Sequence, residues 1–443
     1  MSRPLAALLR SGIGLDQGRS GAAAPQTAGI DQRASLAAAA LRRQQPRTIY
    51  LVAGDVSGDL HGGHLARAIR AAAPHVRLVG VGGDTMRAAG VEVQIDTTRL
   101  SVVGVWEALR MGHDIVRTYR QVQGFVADIQ PDLAILIDSE TVVVPAARWL
   151  KRRGVPVVFF FPPQIWFWGR WRRHRVAPLA ARVISAFRPE ADLYREAGAN
   201  TVWVGHPLQD LVHVSEHTDT AMQAVGLDPS RPLVALMPGS RRREIRALLR
   251  PMLHAARLLQ QRDPQIQFAL PLASDTFRRE IEEAARASGL RRLVVYRPRS
   301  YAVLSRARVI LQCSGTATLE AALLGIPSVI VYRCLPIEYL AARLFMHVDF
   351  IGMPNILLGE MVQPEFFHRG ANPERMADAV GTLLTDERRW HAVHARLRGL
   401  RDVLGPPGAF DRAAQAILDL LLSGGDEPAA AETRHATADD TPR

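Results

Sequence analysis

Leu233-Val234-Ala235-Leu236-Met237, followed at once by Pro238-Gly239-Ser240-Arg241-Arg242-Arg243-Glu244-Ile245, decides how this chain is read. The apolar run is a buried strand. Gly239 supplies a tight turn and Ser240 an N-cap, and Ile245, Leu248, Leu249 and Leu253 then recur at helical spacing. A strand that hands over to a helix in this way exposes backbone N–H groups and the positive end of the helix dipole, which suits phosphate oxygens. Arg241, Arg242 and Arg243 add fixed charge that can grip a diphosphate through paired hydrogen bonds. The turn calls for an anionic, nucleotide-linked ligand. A solvated basic turn at a helix start is the plainer reading, and on this segment alone both stand.

Outward from this turn the same alternation repeats. Strands are expected at Leu233–Met237, Gln267–Pro271, Leu293–Tyr296, Val309–Gln312 and Ser328–Tyr332. An earlier series covers Ile49–Ala53, Arg77–Val81, Leu133–Ile137, Val155–Phe160 and Arg182–Ser185, with helices such as Leu60–Ala73 and Trp106–Ile129 between. Short Val/Ile/Leu runs alternating with amphipathic stretches argue for βαβ units and parallel sheets covered on both faces. The turn-rich stretch Gly226–Pro232 divides the two series. The fold class is therefore α/β, with two doubly wound Rossmann-like domains facing a central cleft. The first spans 48–225 and the second 226–423, the latter with C-terminal helices. Ligands in such sheets sit at the carboxyl ends of the strands, so both halves should aim their loops into the cleft.

Composition sets the outer bounds. The 443 residues are 48% apolar and 22% charged, which describes a globular protein of two or three cores. A net charge of +12 points to acidic partners: phosphorylated small molecules, nucleic acid or an anionic membrane surface. Two cysteines, Cys313 and Cys334, are too few for a disulfide framework and fit a reducing compartment. No apolar run approaches the roughly 20 residues that span a bilayer, so membrane contact should be peripheral. Residues 1–47 carry only two acids, Asp16 and Asp31, and resemble a transit peptide in composition, but a disordered extension is the favoured reading. Residues 424–443 should form a disordered tail.

Three more loops could carry chemistry. Gly54-Asp55-Val56-Ser57-Gly58-Asp59 follows the first strand, and its acids suit sugar hydroxyls better than phosphates. It lacks the Gly-Lys-Ser/Thr of a phosphate-binding P-loop and the spacing of a dinucleotide fingerprint, and a tight turn with Asp as helix cap is the alternative. Cys313-Ser314-Gly315-Thr316-Ala317-Thr318-Leu319-Glu320 forms a second anion site at a strand-to-helix turn. Glu320 could accept from both hydroxyls of a ribose, or simply be a first-turn acid favoured by the dipole. Asp138 and Glu140 end the strand Leu133–Ile137, where a carboxylate entering the cleft is a candidate general base; capping the next helix competes. No Asp-x-Asp metal motif stands in the globular region, so no metal and no cofactor is expected.

The segment from Gln164 to Arg175 interleaves Trp166, Trp168 and Trp171 with Arg170, Arg172, Arg173 and Arg175. Aromatic rings with arginines suit a membrane interface, and Trp166, Trp168, Arg170, Trp171 and Arg172 are the expected contacts. Stacking on single-stranded nucleic acid is the competing use, and at least one of the tryptophans is expected in the core.

Taken together and in order, these stretches resemble the bacterial lipid-A-disaccharide synthases, inverting glycosyltransferases of the two-Rossmann-domain B type. The likeness rests on Ala53–Asp59, Gly80–Gly83, Leu100–Gly104, Pro131–Asp138, Pro163–Trp168, Val204–Leu208, Pro238–Ile245, Ser314–Glu320 and Pro354–Leu357, and runs from about Thr48 to Leu421. It implies transfer of 2,3-diacylglucosamine from its UDP donor to the 6-hydroxyl of 2,3-diacylglucosamine 1-phosphate. The products would be a β-1,6 disaccharide 1-phosphate and UDP, formed by a peripheral protein on the cytoplasmic face of the bacterial inner membrane. Nucleic acid is then no partner, and a homodimer has precedent in the family.

The resemblance implies that Asp138 is the base. It also puts Gly239, Ser240, Arg241, Ser314, Gly315, Thr316, Thr318 and Glu320 on the donor, and Asp55, Ser57, Gly58, Asp59 and Glu140 on the acceptor. The chain departs from the family where an Ile-Asp-Ala-Pro-Asp-Phe-Asn motif is read here as Ile137-Asp138-Ser139-Glu140-Thr141-Val142-Val143. The family's second Asp and its Asn are missing, and Glu140 is the residue expected to compensate. Asp55 likewise replaces the family's usual Glu. Another UDP-sugar transferase or epimerase of the same fold, or a non-catalytic binder of acidic lipid, are the alternatives.

Overall fold

A computed structural model describes residues 47–97, 112–138, 140–167, 169–214, 217–298, 300–334 and 348–423. The two terminal segments, the Leu100–Gly104 stretch, the start of the Trp106–Ile129 helix and Trp168 lie outside the described residues, as does the side chain of Glu140.

Thirteen strands are described, in two wholly parallel sheets. The first contains β1 (Thr48–Ala53), β2 (Arg77–Gly82), β3 (Glu92–Asp96), β4 (Leu133–Ile137), β5 (Val157–Phe160), β6 (Arg182–Ser185) and β7 (Thr201–Trp203), in the order β3-β2-β1-β4-β5-β6-β7. The second contains β8 (Leu233–Met237), β9 (Gln267–Pro271), β10 (Leu293–Tyr296), β11 (Val309–Cys313), β12 (Ser328–Tyr332) and β13 (Glu365–Phe367), in the order β10-β9-β8-β11-β12-β13. The helices that matter to the site are α1 (Val56–Ala72), α2 (Gly112–Ile129), α3 (Glu140–Arg152), α4 (Arg188–Glu196), α5 (Arg242–Arg262), α6 (Ala317–Leu323), α7 (Met353–Leu358), α8 (Pro373–Thr385) and α9 (Ala409–Leu422).

Central strands are continuous apolar runs because both faces are covered. Every residue of β4 and β5 is buried, as a parallel sheet under two helical layers requires. Helix α5 turns Ile245, Leu248, Leu249, Met252, Leu253, Ala256 and Leu259 inward, each fully buried Leu or Ile being worth on the order of 2 kcal/mol. Gly80 shows how tightly β1 and β2 approach: a Cβ there would lie 2.0 Å from the Leu51 carbonyl oxygen. The glycines at 80 and 82 thus belong to a strand rather than to a ligand loop.

The order of strands reverses between β1 and β4 in one sheet and between β8 and β11 in the other. Crevices at such reversals are where doubly wound sheets bind ligands. The last described helix ties the halves together. Helix α9 packs against α1, and Asp210, from the first half, accepts from the Gly408 and Ala409 N–H groups at 2.5 and 2.9 Å, capping α9. Arg182 on β6 donates to the Ala416 carbonyl at 2.6 Å.

Candidate functional site

The turn after β8 takes the expected path with one change of detail. Gly239 has φ +115°, a conformation closed to residues with a Cβ. The N-cap of α5 is Arg241 rather than Ser240. The Ser240 and Arg241 N–H groups donate to Glu244 Oε2 at 3.0 and 3.2 Å, and the Arg241 guanidinium donates to Oε1 at 3.2 Å. Glu244 sits one turn into the helix and satisfies donors that the first turn leaves without intrahelical partners. The expectation that these N–H groups stand open to an anion is corrected: Glu244 holds them, and an incoming phosphate must compete with it. The Arg241 side chain, 78% exposed, is the arm that reaches outward.

Gly239→Ala is expected to disturb both layers of this arrangement. A Cβ at residue 239 would lie 2.6 Å from the Glu244 Cβ, and the positive φ adds strain of roughly 1–3 kcal/mol. A lower melting temperature together with weaker UDP binding in calorimetry is the expected result; a variant matching the parent in both measurements contradicts it.

The turn after β11 leaves from the strand beside β8, with Met237 opposite Gln312. Two of its hydroxyls, expected to face a ligand, fasten the loop instead. Ser314 Oγ donates to the Ile351 carbonyl at 2.6 Å and Thr318 Oγ1 to the Gly315 carbonyl at 2.7 Å, with Thr318 fully buried. Gly315 and Thr316 are the exposed members. Glu320 is half-buried, and the desolvation of its carboxyl raises it above the usual range while a hydrogen bond from Tyr301 opposes the rise. Ile351 is fixed in turn by Glu365, which accepts the Ile351 and Gly352 N–H groups at 2.7 and 2.8 Å.

In the first half the candidates emerge from the adjacent strands β1 and β4, with Ala53 opposite Ile137. Asp55 is the N-cap of α1, its Oδ1 accepting from the Gly58 N–H at 2.7 Å. Gly58 is buried and Ser57 half-buried in that first turn. Asp59 does not face a sugar. It is 4% exposed and accepts the N–H groups of Gly83, Thr85 and Met86 at 2.7, 3.0 and 3.0 Å, fastening α1 to the turn after β2.

Asp138 is half-buried with φ +53°, and the next strand end, Phe161, has φ +55°. Two non-glycine residues in the left-handed region at adjacent strand ends store strain of the kind found at working sites. The Asp138 N–H reaches the Phe160 carbonyl at 3.3 Å, holding the turn against β5.

Sequence reasoning missed the buried titratable groups of the first half. Glu190, on α4, is 1% exposed, and its Oε2 lies 2.6 Å from Ser185 Oγ. Burial, with the Asp138 charge adding to it, pushes its carboxyl up to about 8. His61 and His206 are also buried, and desolvation takes them down to about 4 and about 3. Phe161 stacks on His61 at 4.4 Å and meets His206 edge-on at 5.8 Å. An acid in the first turn after Pro189 reads as an ordinary helix start, so no signal in the sequence marks Glu190.

The Trp/Arg segment divides between core and surface. Trp166 is 1% exposed, stacked on Phe167 at 4.2 Å, and is corrected from membrane contact to core. Arg172 is buried, which removes it from the surface face, whereas Arg170 is half-buried. Trp171 is 59% exposed with the Arg175 guanidinium 4.9 Å from its ring. Among the described residues no helix is long and apolar enough to cross a membrane.

Comparison with solved structures defines the class. The chain aligns over 86% of its length with the whole of a UDP-GlcNAc 2-epimerase from Neisseria meningitidis bound to UDP-GlcNAc, at 13% identity and a TM-score of 0.57. A Methanocaldococcus jannaschii UDP-GlcNAc 2-epimerase in complex with UDP-GlcNAc and UDP gives 0.55 at 12% identity, over 84% of this chain and 99% of that one. At such identities the likeness establishes the fold, the two-domain B type of glycosyltransferases and related epimerases. The family is fixed by sequence. A model described as lipid-A-disaccharide synthetase matches residues 49–408. A lipid-A-disaccharide synthase of Geobacter metallireducens is 40% identical over 85% of this chain and 97% of its own length, and one of Neisseria meningitidis 36% identical over 83% and 96%. The chain belongs to the lipid-A-disaccharide synthase family and is a glycosyltransferase.

Proposed function

We propose that the protein joins 2,3-diacylglucosamine, delivered as its UDP conjugate, to the 6-hydroxyl of 2,3-diacylglucosamine 1-phosphate with inversion. Asp138 takes the proton of that hydroxyl as its oxygen attacks the donor's anomeric carbon, and UDP leaves with the bonding electron pair. The observation that carries the reading is Asp138 itself: a carboxylate in a strained turn at the reversal point of the first sheet, in a chain of this family.

The donor side is built from the corresponding reversal in the second sheet. The exposed Arg241 guanidinium and the backbone around Gly315 and Thr316 meet the diphosphate, while Gly239, Ser240, Ser314 and Thr318 shape the two turns. Glu320 accepts from the ribose hydroxyls. On the acceptor side Asp55, Ser57 and Gly58 shape the β1 turn, and Glu140 stands where the family motif is altered. Guanidinium groups and backbone dipoles supply the positive charge for the departing UDP, so turnover is metal-independent. Trp171 and Arg175 rest at the membrane surface on the cytoplasmic side, where the acylated substrates lie.

The test is an assay with both acylated substrates in mixed vesicles and a chelator present. Equal amounts of UDP and disaccharide 1-phosphate are expected; UDP release without disaccharide, or epimerised sugar, rejects the proposed acceptor chemistry. In the same system Arg241→Ala is expected to weaken UDP binding about tenfold, the scale of one charge-assisted hydrogen bond. Unchanged affinity takes Arg241 out of the donor site.

A further inference from the structure

The Glu320 carboxylate needs help to stay charged where it is. It lies on α6, half-buried, and an ionised carboxylate that loses part of its water is costly unless hydrogen-bonded. Tyr301, from the turn that precedes β11, donates its phenolic O–H to Glu320 Oε2 at 3.0 Å. Tyr301 is itself half-buried and its turn is locally braced, with the Ser305 N–H bonded to the Tyr301 carbonyl at 2.8 Å. The ring therefore comes from a fixed point.

We propose that Tyr301 is a positioning residue for nucleotide binding: its hydroxyl holds one oxygen of Glu320 and fixes the carboxylate plane, so that the other oxygen meets the ribose hydroxyls. The proposal rests on the assignment of Glu320 to the ribose. A carboxylate offers about four acceptor positions, so one Tyr O–H and two ribose hydroxyls can be accommodated together. The phenol keeps its proton throughout the working range, because burial and the adjacent Glu320 charge both push its pKa up. It is a permanent donor, and its donation counters the effect of burial on Glu320. Removing the hydroxyl leaves burial unopposed, so Glu320 takes up a proton at higher pH and loses half its accepting capacity.

The experiment compares full-length parent, Tyr301→Phe, Glu320→Gln and the double variant by calorimetry with UDP and 2′-deoxy-UDP from pH 5.5 to 8.5. Phenylalanine keeps the ring in place, and unchanged melting temperature shows that the fold is kept. Tyr301→Phe is expected to bind UDP on the order of tenfold more weakly at pH 7, to lose most of the preference for UDP over 2′-deoxy-UDP, and to begin its acid-side loss of affinity at higher pH than the parent. The double variant should be no weaker than Glu320→Gln, because the hydroxyl acts through that carboxylate. If Glu320→Gln weakens UDP binding while Tyr301→Phe matches the parent in affinity, ribose preference and pH profile, the positioning role is overturned and the ribose assignment survives. If Glu320→Gln itself binds UDP normally, the ribose assignment falls and the proposal with it.

Discussion

Asp138→Asn is expected to lower the rate of disaccharide formation by about 10²–10⁴-fold, the usual contribution of a positioned general base, while UDP affinity stays within about twofold of the parent. Asparagine is the right replacement for a structural reason. Residue 138 has φ +53°, and Asp and Asn are the side chains that tolerate the left-handed region best after glycine. Alanine at the same place would mix lost basicity with backbone strain. The amide matches the carboxylate in size and keeps an acceptor oxygen, but it cannot take the hydroxyl proton. Initial rates and UDP calorimetry separate the two halves of the site, since Asp138 ends a strand of the first sheet and the UDP groups are assigned to the second. A near-normal rate in Asp138→Asn would move the base elsewhere, with Glu140, at the start of α3, next to be tested.

The architecture was legible because central parallel strands must be apolar throughout. Leu133–Ile137, Leu233–Met237 and Gln267–Pro271 have the same limits in sequence and structure. Strands β3, β7 and β13 escaped notice because edge strands keep one side open to water. Glu92-Val93-Gln94-Ile95-Asp96 alternates polar with apolar, and the other two have only three residues each. At the site, position along the chain could be read but direction could not. Asp138 and the basic turn follow recognisable strands. That Glu244 folds back onto its own N–H groups, or that Asp59 spends its carboxylate on the turn after β2, depends on rotamers and on approach between distant segments. The same blindness covers Trp166 and Trp171. They belong to one aromatic, arginine-rich run without regular period, and only packing shows that one is core and the other surface.

Glu190→Gln is expected to make the protein more stable in mildly alkaline solution, an unusual outcome for changing a buried charge-bearing residue. Ser185 Oγ lies 2.6 Å from Glu190 Oε2 and 3.0 Å from the Phe187 carbonyl, and it accepts from the Phe187 N–H at 3.2 Å. One hydroxyl has one proton. Both oxygen contacts are satisfied together only if Glu190 is protonated and donates to Ser185, which then donates to Phe187. The other oxygen, Oε1, is buried without a hydrogen-bond partner among the described residues, a position a neutral acid tolerates far better than a carboxylate.

The sign of the pH effect follows from proton counting. The folded chain holds the Glu190 proton up to about pH 8, whereas an unfolded chain releases it near 4.5. Between those values the folded state binds the extra proton, so its stability falls as pH rises, by a total on the order of 5 kcal/mol. The buried His206 works in the opposite direction. Its folded pKa of about 3 lies below the ordinary 6.5, so its contribution is complete above 6.5 and is lost as pH falls from there toward 3. Glutamine can donate to Ser185 as the protonated acid does but cannot ionise. Urea unfolding of Glu190→Gln should therefore give a curve that stays level from pH 6.5 to 9 where the parent declines, with the fall below 6.5 retained because His206 and His61 are untouched. A variant less stable than the parent at every pH would mean that Glu190 is an ionised partner of Ser185, and would remove the neutral acid.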